Sequence, residues 1–123
     1  VRLATQDDPA QAALALRVLQ KARLIAVPTP ALCEMVWVLL RGYRYSPTQV
    51  AHALHSLLQV RQVVCHTPAV LAGLAQLEAG GDFADGAIAF EGDLLGGTEF
   101  VSFDQQAVKL LKAQKRRARL LTA

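Results

Sequence analysis

Four of the five prolines follow a residue whose side chain can cap a helix: Asp8-Pro9, Thr29-Pro30, Ser46-Pro47 and Thr67-Pro68. This punctuation fixes where helices can begin. A Ser, Thr or Asp oxygen accepts from the orphan N–H groups of a first turn, and proline at the first helical position has no N–H to leave unpaired. Helices are therefore expected from about Pro9 to Arg23, Pro30 to Arg41, Pro47 to Val60 and Pro68 to Ala79. A fifth is expected from about Ala84 to Leu95 and a sixth from about Gln105 to Lys115, with Gly80-Gly81 and Gly96-Gly97 ending the fourth and fifth.

The apolar spacing says which faces these helices bury. The first is expected to bury Leu14, Val18 and Ala22, with Ala15 and Leu19 beside them. The second is apolar on nearly all sides and is expected to be central. The third carries Val50, Leu54, Leu57 and Leu58 at i, i+4, i+7 and i+8, and the fourth carries Val70, Leu71, Leu74 and Leu77. Short β-type runs lie between: Leu24 to Val27, Gln62 to Cys65, Phe100 to Phe103 and Arg119 to Leu121. Helices alternating with short buried strands imply the α/β class with a mostly parallel sheet.

At 123 residues the chain is expected to be one domain, 1–123. With 53% hydrophobic and 19% charged residues it is not a disordered or low-complexity chain. Two cysteines, Cys33 and Cys65, make neither a disulfide framework nor a metal knuckle and read as small apolar residues in a reducing cytoplasm. The longest apolar run, Met35 to Leu40, falls far short of the ~20 residues a membrane helix needs. The opening residues do not read as a signal peptide.

Charge is unevenly spread. Lys109, Lys112, Lys115, Arg116, Arg117 and Arg119 are six of the 13 basic residues and sit in a stretch without acids. The rest of the chain holds seven basic against ten acidic residues. A basic tail on an acidic body points to an anionic partner; a solvated helix face would look the same.

The acids carry the chemistry. Glu34 is the only acid between Asp8 and Glu78 and sits inside Leu32-Cys33-Glu34-Met35-Val36-Trp37. Burying a carboxylate costs several kcal/mol unless it is paired. Glu34 is therefore either half of an ion pair, with Arg41 or Arg44, or a metal ligand or catalytic acid. Asp104 follows the run Phe100 to Phe103, at the carboxyl end of a strand, where α/β sheets place ligands; it also suits a helix N-cap. Asp82, Asp85 and Asp93 surround the fifth helix, with Asp85 in its first turn and Asp82 placed to cap it. In a parallel sheet, strand carboxyl ends and helix amino ends share an edge. Glu34, Asp85 and Asp104 are thus expected to converge, and an all-oxygen set of like charges selects a hard cation, Mg2+ or Mn2+. His52 and His55 fall on the face opposite the leucine stripe of the third helix, and His66 ends a strand with no evident partner.

These stretches resemble the PIN-domain family, in particular its VapC-type toxin ribonucleases. Asp8-Pro9-Ala10-Gln11 resembles the family's first long helix. Cys33-Glu34-Met35-Val36-Trp37-Val38-Leu39 resembles its second-helix motif with a single glutamate. Asp82-Phe83-Ala84-Asp85-Gly86-Ala87-Ile88-Ala89 and Phe100-Val101-Ser102-Phe103-Asp104 resemble its two C-terminal acidic motifs. By position, Glu34, Asp85 and Asp104 match the second, third and fourth acids, Asp82 an auxiliary one, and Ser102 the small hydroxyl residue before the last Asp. The family's opening strand and first acidic ligand have no counterpart here, because Val1-Arg2-Leu3-Ala4-Thr5 resembles the stretch immediately downstream of them.

The resemblance implies a PIN-like three-layer α/β/α fold with a short, mostly parallel sheet. It implies a cytoplasmic, Mg2+-dependent (or Mn2+-dependent) endoribonuclease, the toxin of a toxin–antitoxin pair, with a cognate antitoxin and a homodimeric state. Glu34, Asp85 and Asp104, with Asp82, would hold the metal. Lys109, Lys112 and Arg116 would form a basic stripe that positions RNA through its phosphates. The alternative is a catalytically impaired or inactive module of the same fold that binds a protein partner or RNA. A phospho-acceptor receiver domain is disfavoured, since no lysine lies between residues 22 and 108.

Overall fold

The computed structural model describes residues 9–123. The chain gathers into two compact units, one ending at Cys65 and one running from His66 to Ala123. The expected Asp8 cap lies outside the described residues.

The first unit contains α1 (Pro9–Lys21), β1 (Ile25–Ala26), α2 (Thr29–Trp37), α3 (Pro47–Leu58) and β2 (Val63–Val64). A π-helical turn, Val38–Gly42, extends α2. Strands β1 and β2 pair in parallel, Ile25 opposite Val63 and Ala26 opposite Val64. The β1 ladder stops at Pro28, which has no N–H to donate. Leu32, Val36, Leu39, Val50 and Leu54 form the buried side of α2, the π turn and α3.

Local signals set the start of α3. The Ser46 hydroxyl accepts from Gln49 N–H at 3.1 Å, and the Gln49 side chain accepts from Ser46 N–H at 2.8 Å. This reciprocal box satisfies two orphan donors at once. At α2 and α4 the expected caps shift by one residue: Thr29 and Thr67 are themselves the first helical residues, after Pro28 and His66. The Pro28 carbonyl already accepts from Ala31 and Leu32, so the helix begins one residue before the expected Pro30.

Two burial expectations are corrected. In α1, Leu14 and Val18 are exposed, and the inward line runs through Ala12, Ala15, Leu19 and Ala22. The segment is apolar around most of its circumference, so spacing alone did not select the face. In α2, Glu34 and Trp37 are exposed while Leu32 and Val36 are buried; the helix is one-sided, not enclosed. Beside these helices lies an open apolar cavity of 490 Å3, lined by Leu16, Leu19, Ile25, Met35, Leu57 and Val63 among others.

The second unit contains α4 (Thr67–Glu78), α5 (Phe83–Leu94), β3 (Phe100–Ser102), α6 (Gln105–Ala113) and β4 (Ala118–Leu120). Helix α6 is the crossover between the parallel strands β3 and β4, with Phe100 opposite Ala118 and Ser102 opposite Leu120. Ala89, Val108, Leu111 and Ala118 form its core with Phe100 and Leu120. Helices α4 and α5 pack closely through small residues, with the buried Phe83 ring lying over Gly73.

Helices α4 and α5 end as the double glycines predict. Gly80 and Gly96 take φ of 100° and 98°, and the next N–H reaches back five residues, Gly81 to Gln76 and Gly97 to Gly92. Helix α6 closes in the same way with Lys115 at φ 66°, so it stops at Ala113 rather than Lys115.

The protein is thus of mixed α/β class with parallel strands. Its strands are only two or three residues long and pair as two separate two-stranded ladders. No helix among the described residues is long and apolar enough to cross a membrane.

Candidate functional site

Three of the four predicted metal acids belong to the second unit, and hydrogen bonds explain their placement. Asp82 is the N-cap of α5, its Oδ1 accepting from Ala84 N–H at 3.1 Å. Asp85 follows in the first turn of that helix. Asp104 is the N-cap of α6, its Oδ1 accepting from Gln106 N–H at 3.0 Å and Ala107 N–H at 3.1 Å. Asp104 N–H in turn donates to Ser102 Oγ at 3.0 Å.

Two glutamines dock the start of α6 against the turn between α4 and α5. Gln106 Nε2 donates to the Gly80 carbonyl at 3.1 Å. The fully buried Gln76 accepts from Gln114 Nε2 at 2.7 Å, and its own Nε2 lies 3.5 Å from the Ala107 carbonyl. A buried amide left unpaired costs about 1–3 kcal/mol, so these bonds hold α6 in register with α4. The turn carrying Asp82 and Asp85 is thereby tied to the helix start carrying Asp104.

The electrostatics register that juxtaposition. The Asp85 carboxyl is pushed above the ordinary carboxylate range, first by burial and then by the negative charges of Asp82 and Asp104. Such a carboxyl gains from a proton or from a cation. Among the described residues, no three Asp, Glu, His or Cys side chains are placed to grip an ion together. The donor chemistry nonetheless fits Mg2+, which keeps several waters and takes only one or two carboxylates directly. Asp104 Oδ1 is engaged by the two N–H groups that it caps.

Glu34 belongs to the first unit, exposed on α2, which corrects the expectation of a buried carboxylate. Trp37, one turn later on the same helix, is also exposed.

Of the predicted basic stripe, Lys109 and Lys112 lie exposed one turn apart on α6. Arg116 lies past the helix end. Its guanidinium pairs with Asp93 at 3.0 Å and sits 5.7 Å from the centre of the Phe90 ring. His52 and His55 are exposed, as expected from their face of α3.

His66 has the partner its sequence neighbours did not disclose. Its Nδ1 lies 3.0 Å from Glu91 Oε2, and its ring meets Phe90 edge-on at 5.6 Å. The pair joins the start of α4 to the last turns of α5, a contact set by the packing of the hairpin and by no local spacing.

Comparison with protein-family models, with curated proteins and with solved structures finds no match for this chain.

Proposed function

We propose that this protein is a metal-dependent endoribonuclease of PIN type, the toxin of a toxin–antitoxin pair. The observation that carries the reading is the shared neighbourhood of Asp82, Asp85 and Asp104, where burial first, and then the charges of Asp82 and Asp104, make the Asp85 carboxyl hold its proton more readily than an ordinary carboxyl. A bound cation is one way to offset such a cluster. Asp85 and Asp104 would hold Mg2+ or Mn2+, with Asp82 as an auxiliary acid. The ion, when bound, supplies Lewis-acid activation of water and charge stabilisation on a phosphodiester.

The chain's own groups then have separate tasks. The Asp104 N–H bond to Ser102 and the two bonds Asp104 accepts fix one carboxylate on a rigid corner. Lys109 and Lys112 present positive charge on α6, where they would position an RNA strand through its phosphates. In this proposal Glu34 keeps the ligand role that the family resemblance gives it. The three-layer PIN-like fold, the cytoplasmic setting, the antitoxin and the homodimer belong to the same proposal.

The second reading is a catalytically inactive module of this type that binds a protein or RNA. It is favoured by the absence, among the described residues, of three ligands set to grip an ion together.

Cleavage of end-labelled RNA separates the two. The nuclease reading expects cleavage with Mg2+ or Mn2+ that EDTA abolishes and excess metal restores. RNA left intact at every metal concentration, or cleaved equally with Glu34→Gln and in EDTA, would refute it.

A further inference from the structure

The first unit carries a charge imbalance that the proposed metal site leaves unused. From Pro9 to Cys65 its only acid is Glu34, against Arg17, Lys21, Arg23, Arg41, Arg44 and Arg61. Arg41 and Arg44 are exposed, and among the described residues neither has an acidic partner. Both lie at the end of α2, Arg41 in the π-helical turn and Arg44 just past it. Trp37, 63% exposed, stands one turn before Arg41 on the same side of the helix. Tyr43, 37% exposed, lies between the arginines in the chain. Residues 37–44 thus display cations and aromatic rings together on one short stretch of backbone.

The backbone at Arg44 is an independent observation. Arg44 takes φ 57°, in the left-handed region. There the chain turns out of the helix, with Tyr45 N–H donating to the Leu39 carbonyl at 2.9 Å. Glycine is the residue this closure favours, as at Gly80 and Gly96. An arginine at such a position gives up backbone stability and gains a guanidinium in water. That exchange is useful where the guanidinium has a ligand.

An unpaired nucleic-acid strand offers a phosphate and a flat base face at every nucleotide, the two things that cations and exposed rings bind. A carboxylate-rich peptide would answer the arginines and leave Trp37 without a flat partner. A duplex would answer them too, but its base faces lie hidden within the stack. We propose that Trp37, Arg41, Tyr43 and Arg44 hold a single-stranded RNA segment, the arginines on phosphates and Trp37 stacked on a base; the choice of RNA over DNA rests on the nuclease reading. The patch holds the strand and takes no part in the chemistry.

The test is binding of a labelled single-stranded oligoribonucleotide to the full chain in EDTA, followed by anisotropy, so that affinity is read without metal or cleavage. Arg44→Gly is expected to weaken binding about 3- to 10-fold and to lower the slope of log affinity against log salt by about 0.7. The same substitution is expected to raise Tm by about 2–4 °C, because glycine suits the left-handed turn. Arg44→Lys keeps the charge and stays within about threefold of the parent. Trp37→Leu is expected to weaken binding about 10-fold or more with the salt slope unchanged. Because Trp37 is the single tryptophan, saturating oligonucleotide is also expected to quench its emission.

Parental affinity in both Arg44→Gly and Trp37→Leu would overturn the proposal, as would an unquenched Trp37 at saturation, equal affinity for a duplex or no binding of RNA. A lower Tm in Arg44→Gly with RNA affinity intact would assign Arg44 to the helix dipole and overturn it too. Displacement by a polyglutamate peptide as effective as by unlabelled RNA would assign the patch to an acidic protein instead. Parallel cleavage assays in Mg2+ keep the two readings apart. Binding that depends on Trp37 and Arg44 without cleavage refutes the nuclease alone, and metal-dependent cleavage with affinity indifferent to both refutes this patch alone.

Discussion

Replacing Gly86 with alanine is expected to unfold the second unit at temperatures where the parent chain is intact. A Cβ on Gly86 would run into the Ala72 carbonyl oxygen and stand 2.8 Å from Gln76 Cβ. Neither obstacle is the tip of a flexible side chain, so α4 and α5 must move apart. That movement loosens Phe83 over Gly73 and disturbs Gln76, which bonds to Gln114. Overpacking of this kind costs about 3 kcal/mol, a fall in Tm of roughly 10 °C or more for a unit of this size. Gly92, on the same helix, has nothing within 4 Å of its would-be Cβ. Gly92→Ala is therefore expected to stabilise by about 0.5–1 kcal/mol, because alanine loses less backbone entropy in a helix. Thermal melts followed by circular dichroism decide it; equal Tm values for the two variants would contradict the close packing described here.

Asp85→Asn is expected to act in opposite directions on activity and on stability. On the proposed nuclease reading, cleavage should fall on the order of 100-fold, as when a preorganised charge is removed from a reacting centre. Stability should rise. The folded-state pKa of Asp85 lies above its unfolded value of 3.8, so the unfolded chain gives up that proton more readily. The resulting destabilisation sets in as pH rises through 3.8 and is complete above the folded pKa; acidification through the same window relieves it. Asparagine removes the charge at every pH. Asp85 is only half-buried, and solvent screening keeps the gain small, a Tm rise of about 1–3 °C at neutral pH. An Asp85 kept only for its place in the first turn of α5 behaves otherwise. Its charge then favours the helix dipole, so asparagine lowers stability and leaves cleavage unaltered.

The parts of this structure that were legible in the sequence are those written in short-range chemistry. Ser46 before α3, Asp82 before α5, Asp104 before α6 and the two double glycines act on backbone groups a few residues away. Their spacing alone discloses them. The helix face turned inward is a longer-range matter. In α1 almost every position is apolar or small, so many faces fit the pattern, and Leu14 and Val18 came out exposed. Glu34 misled for the same reason: an acid in an apolar run reads as buried, although one turn of helix suffices to carry it to the surface. The His66–Glu91 contact and the buried Gln76 depend on how α4, α5 and α6 pack, across separations that local patterns do not encode. The acids were legible as a set of residue types. That Asp82, Asp85 and Asp104 share a neighbourhood follows from the Gln106 bond to Gly80, which no spacing announces.

Binding of Mn2+ to the full chain, read from the loss of free-ion signal in electron paramagnetic resonance, tests the central claim most directly. The account predicts a single Mn2+ site at sub-millimolar concentration that Mg2+ displaces, that weakens steeply as pH falls into the carboxylate range, and that Asp85→Asn and Asp104→Asn each remove. Undiminished binding in both variants, or no bound ion in the parent chain at neutral pH, would contradict it.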